Sequence, residues 1–113
     1  MLTDASPYGE IAQYLAVHRD AEPRARHTLS YMDGVSFARR ARAPGHFGVG
    51  LRDTVCPPST AFAAYHAYGT ADRTMHTYPF NGHEGGDAVH VRRQLDWLGA
   101  RLPAVETFDV DSR

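Results

Sequence analysis

The chain has 113 residues with 12 basic and 13 acidic side chains, for a formal net charge of -1, which allows one small domain and excludes a multidomain machine. All 12 basic residues are arginines, and so even a balance argues against nucleic-acid binding, which needs a clustered basic surface. The single cysteine, Cys56, excludes an internal disulfide and fits a reducing, cytoplasmic setting, while the lack of a long apolar run or a leader-like N-terminus points away from a membrane.

In chain order, PYGEIAQYLAVHRD places Ile11, Tyr14, Leu15 and His18 at helical spacing behind a Ser6-Pro7 start signal, which predicts a helix over about 8–19. Glu22-Pro23 opens a second helix toward Tyr31, and Asp33 caps a short third one carrying Val35, Phe37 and Ala38. Ala43-Pro44 breaks this pattern. His46 to Leu51 (HFGVGL) reads as a short buried strand, and its glycines are expected to weaken packing there. A loop, Arg52 to Pro58, leads through Ser59-Thr60 into the helix AFAAYHAY, which Gly69 ends. Arg73 to Pro79 alternates like a second strand, and Asn81-Gly82 opens the next loop. Ala88, Val91, Leu95, Leu98 and Leu102 recur at intervals of 3 and 4, the apolar face of a last helix before Pro103. The domain is expected to span residues 1–102, with a frayed tail over 103–113.

This order predicts an α/β fold containing one parallel βαβ unit. A mass of 12.5 kDa would permit a compact core burying roughly 65% of the unfolded surface. Two parallel strands are nevertheless too few for a stable sheet of that kind. The chain therefore reads as a piece of a larger domain.

Two residues stand out for chemistry. Asp53 follows the carboxyl end of the first strand and His83 that of the second, the edge where sites gather in open α/β sheets. The 29 residues between them hold one loop, one helix and one strand, so adjacent parallel strands bring both to one rim. A carboxylate that accepts the Nδ1 proton of an imidazole fixes its tautomer and stabilises the imidazolium formed when Nε2 takes a proton from a nucleophile. On spacing alone the plainer readings weigh more: a turn or cap for Asp53 and a structural histidine for His83.

The strings GLRDTVCPPSTAFAAYHAYG (50–69), YPFNGHEGG (78–86) and QLDWL (94–98), with SPYGEIAQYLAVHRD and TLSYMDGVSFA upstream, resemble the C-terminal part of the acetyl xylan esterase and cephalosporin-C deacetylase family, carbohydrate esterase family seven. The resemblance covers nearly the whole chain from Thr3 to about Leu102. It implies the last two strands of an α/β-hydrolase fold, with Asp53 and His83 at the positions of the triad Asp and His. It also implies a serine esterase acting on small acetylated sugars or cephalosporin-type acetyl esters, with no organic cofactor, and a homo-hexamer for a full-length member. The alternative is a non-catalytic interaction piece that pairs with a separate N-terminal half.

The nucleophile of that family sits on a Gly-x-Ser-x-Gly elbow, and the chain contains no such string. Gly34-Val35-Ser36-Phe37-Ala38 is the nearest decoy. Only 16 residues separate Ser36 from Asp53, too few for the helix and crossovers the fold requires. Ser59, behind two prolines at a helix start, suits a capping or packing role rather than catalysis. Cys56, beside two prolines, suits an inert thiol. The seven histidines suggest scattered surface and packing roles rather than a metal site, because His83-Glu84 and His90 lack the i, i+4 spacing of H-E-x-x-H. Arg39, Arg40 and Arg42 suit a solvated helix end, and Glu84 either holds the His83 loop or lines an interface.

Overall fold

The structure, a computed structural model, describes residues 8–103; the expected tail beyond Pro103 lies outside them. Its elements are helices α1 (Tyr8–Val17), α2 (Glu22–Ser30) and α3 (Gly34–Ala38), strand β1 (Gly45–Gly50), helix α4 (Pro58–Ala67), strand β2 (Arg73–Tyr78) and helix α5 (Asp87–Gly99). The first predicted helix is shorter than expected. His18, at φ -112° and ψ 66°, leaves the helical region, and a 3-10 turn (Arg19–Ala21) links α1 to α2. Asp33 caps α3 as expected, its carboxylate accepting the Val35 N–H at 2.9 Å.

β1 and β2 pair in parallel, in register from Gly45 opposite Arg73 to Gly50 opposite Tyr78. Strand alternation divides the pair into two faces. On one face, Phe47 meets the rings of Tyr65 and Tyr68 edge-on, with centroids 5.5 and 5.2 Å apart, and Arg73 lies 5.0 Å over Tyr65, so α4 covers this side. On the other, His46 packs against Trp97 and His90 of α5, and Tyr78 packs against His90. The unit is thus helix, sheet, helix, with Val49 and Tyr78 as its buried apolar side chains among the described residues.

Two expectations need correction. The glycine at 48 does not leave a gap in β1: the imidazole of His90 fills the space, and a Cβ there would stand 2.6 Å from its Nε2. The predicted apolar face of α5 is not its packing face. Val91, Leu95, Leu98 and Leu102 are all exposed, and the side turned to the sheet carries His90, Arg93, Trp97 and Arg101, spaced 3 and 4 apart. α5 also stops at Gly99, with hydrogen-bonded turns continuing to Leu102.

Candidate active site

Asp53 stands three residues past β1, where the strand turns: its own N–H donates to the Gly50 carbonyl at 3.2 Å. Its carboxylate has two tasks. Oδ1 accepts the backbone N–H groups of Val55 (2.9 Å) and Cys56 (2.8 Å), folding the loop around it. That leaves Oδ2 facing His83, whose Nδ1 lies 3.0 Å away. A carboxylate can only accept, so Nδ1 carries the proton, and in the neutral ring Nε2 keeps its lone pair. Asp53 is thus a turn residue through Oδ1 and an imidazole partner through Oδ2.

The environments of the pair differ. The Asp53 side chain is only 10% exposed, whereas His83 is 62% exposed. Partial burial pushes the Asp53 carboxyl up, but the Cys56 N–H, the His83 ring and the Val55 N–H together outweigh that and hold it below the ordinary aspartate value. Asp53 stays an anion, the state in which it can orient and stabilise an imidazolium.

The loop carrying His83 is built from β2 outward. Asn81 N–H donates to the Tyr78 carbonyl (3.3 Å), and Arg52 N–H reaches across from the β1 side to the Asn81 carbonyl (3.0 Å). The carboxylate of Glu84 accepts from Asn81 Nδ2 at 2.9 Å and from Gly82 N–H at 3.1 Å, and these bonds hold it below the usual glutamate range. Of the two roles open to it, Glu84 takes the first and braces the loop. Gly85 (φ +57°) and Gly86 (φ +94°) then swing the chain into α5 through the left-handed region that glycine enters without penalty.

The chemistry-bearing strings thus converge on one rim. The acetyl xylan esterase family model (AXE1) matches residues 1–101. The chain belongs to the acetyl xylan esterase family. One similar protein, acetyl esterase Axe7A of Xylanibacter ruminicola, is 36% identical over 76 residues, which are 67% of this chain and 17% of that esterase. The chain spans under a fifth of that esterase's length.

In this acetyl xylan esterase family chain the other candidates fall elsewhere. Ser36 sits inside α3, as expected of a helix residue. Ser59 does not cap α4: the cap is Pro57, Ser59 is exposed in the first turn, and the Thr60 hydroxyl donates back to the Pro57 carbonyl at 2.7 Å. Cys56 is half-buried and serves the site through its backbone N–H. Arg39, Arg40 and Arg42 are exposed just beyond α3. Among the described residues, no three His, Cys, Asp or Glu side chains are grouped to hold a metal ion, and no helix is long and apolar enough to cross a membrane.

Two features escaped the sequence reading. His46, His76 and His90 are not scattered: their ring centroids lie 4.9, 5.1 and 6.4 Å apart between the sheet and α5. Both strand histidines and Tyr78 have even numbers, and that alternation was the signal available. Gly50, under the His83 loop, gave none beyond its residue type.

Proposed function

We propose that this chain supplies the acid–base half of a serine ester hydrolase that removes acetyl groups from small acetylated carbohydrates, xylo-oligosaccharides foremost, or from cephalosporin-type acetyl esters. The observation that carries this reading is the Asp53 Oδ2 to His83 Nδ1 contact of 3.0 Å at the carboxyl edge of a parallel strand pair, in a chain of this family. The parent fold is the α/β-hydrolase, of which β1 and β2 are the last two strands.

The chemistry follows from the tautomer. A serine Oγ supplied by a Gly-x-Ser-x-Gly elbow, a string these 113 residues lack, attacks the acetyl carbonyl while His83 Nε2 takes its proton. Asp53 holds the ring and stabilises the imidazolium. His83 then gives the proton to the departing sugar hydroxyl, leaving acetyl-serine. It next takes a proton from the water that attacks acetyl-serine and hands it to the departing serine Oγ as acetate is released.

The test is p-nitrophenyl acetate hydrolysis. The chain alone is expected to be inactive. Co-expressed with an upstream family segment carrying the serine elbow, it is expected to restore turnover that His83→Ala or Asp53→Ala removes. Hydrolysis by the complemented pair that survives both substitutions would overturn the reading.

A further inference from the structure

We infer that Gly50 is the positioning residue that sets the spacing of Asp53 and His83, because the loop bearing His83 is seated directly on its Cα. The inference rests on the pair being the catalytic one.

Gly50 is buried at the last pairing position of β1, opposite Tyr78. Three backbone hydrogen bonds close around it: Leu51 N–H to Tyr78 O (3.0 Å), Arg52 N–H to Asn81 O (3.0 Å) and Asp53 N–H to Gly50 O (3.2 Å). One end of this knot is the residue three before the carboxylate. The other is the segment just before the imidazole. A Cβ at position 50 would press on the Gly82 carbonyl oxygen and stand 2.6 Å from the Asn81 oxygen and 2.9 Å from the Asn81 carbonyl carbon. These are backbone atoms and cannot rotate aside as a side chain can.

The requirement is one of space, not of backbone conformation. Positive φ occurs at Gly85, Gly86 and Asp87, not at Gly50, so any L-residue could adopt the local backbone. Nor is it shared by the neighbouring glycine: a Cβ on Gly82 would meet the end of a side chain, the Glu84 carboxylate, at 3.3 Å rather than backbone at closer range. Relieving the contact at position 50 requires the 81–82 segment to retreat by about 1 Å. A 3.0 Å contact between His83 and Asp53 leaves only about 0.5 Å before hydrogen-bond range ends at about 3.5 Å. A misplacement of that size costs on the order of 100-fold in rate where geometry governs catalysis.

The experiment follows the imidazole tautomer in the full 15N-labelled chain by long-range proton–nitrogen correlation at a pH where histidine is neutral. Wild type is expected to hold His83 mainly as the Nδ1–H form. Gly50→Ala should convert it mainly to the Nε2–H form preferred by free imidazole, while Gly99→Ala, where a Cβ meets nothing within 4 Å, leaves it unchanged. Amide signals from Gly45 to Gly48 report whether the strands still pair. Their retention with the tautomer lost supports the inference. Retention of the Nδ1–H form in Gly50→Ala overturns it, and so does loss of those amides, which would make Gly50 a general folding residue. A wild-type chain already in the Nε2–H form sinks the paired-residue reading and the inference with it.

Discussion

Because Oδ1 of Asp53 is occupied by the Val55 and Cys56 N–H groups while Oδ2 holds the imidazole, asparagine at this position separates the two tasks. An asparagine oxygen can still accept both amides, but its NH2 would face Nδ1 and force the ring proton onto Nε2. Asp53→Asn is therefore expected to leave Val55 and Cys56 amide exchange nearly unchanged while lowering kcat of a complemented enzyme by roughly 10⁴-fold, the scale of a wrong tautomer in a triad. Asp53→Ala, by contrast, should free both amides. The pH response has a definite sign. The folded carboxyl titrates below its unfolded value of 3.8, so its contribution is complete above that pH and is lost as pH falls through the lower folded value. Amide exchange at Val55 and Cys56, measured from pH 6 down to 3, checks it: protection that does not weaken toward pH 3 contradicts the account.

At the scale of elements, the helix α5 behaves as a polar clamp. His46 faces His76 from β2 and His90, Arg93 and Arg101 from α5, and the Asp72 carboxylate is bound to Arg101 at 3.1 Å. Burial, then the electrostatic influence of His76, His90, Arg101 and Arg93, lowers His46, and burial followed by His76 and Arg93 lowers His90. Both are therefore neutral in the folded state over a range where the unfolded chain is protonated. The clamp is complete above pH 6.5 and loosens as pH falls below it through the lowered folded values. Thermal unfolding followed by Trp97 fluorescence should give a higher midpoint at pH 8 than at pH 5, with His46→Phe flattening the difference. Both ring nitrogens of His46 are buried without a partner, so removing them exposes no new unsatisfied group. The sequence carried the strands, the parallel crossover and the Asp53–His83 rim, since periodicity, Gly/Pro punctuation and the Asp-x-x-Cys-Pro-Pro and His-Glu-Gly-Gly strings are local signals. The packing face of α5 was not legible. Apolar spacing marks the side chains that gain from cover, whereas the contact made is a flat imidazole over Gly48, with a tryptophan and two arginines beside it. Gly50 was hidden for a related reason: its role depends on a backbone 31 positions further on.

At the scale of the whole molecule, the described residues leave their core open: Val49 and Tyr78 are the buried apolar side chains among them. The exposed apolar residues are not confined to one patch: Tyr14 and Val17 on α1, Phe37 on α3, Phe80 before the His83 loop, and Leu95 and Leu98 on α5. Each helix covers at most one side of a two-stranded sheet, so the burial that ought to offset chain entropy is largely missing. Urea unfolding reads this deficit directly, because its slope scales with the surface newly exposed. The isolated chain is expected to unfold with a slope below about 1 kcal/mol per molar, the lower end for small proteins, and to bind a hydrophobic dye while folded. Adding an upstream family segment should steepen the slope and displace the dye together, since one burial event drives both. A steep slope and no dye binding in the chain alone would mean that it closes its own core, and the proposed dependence on a complementary segment would fail with it.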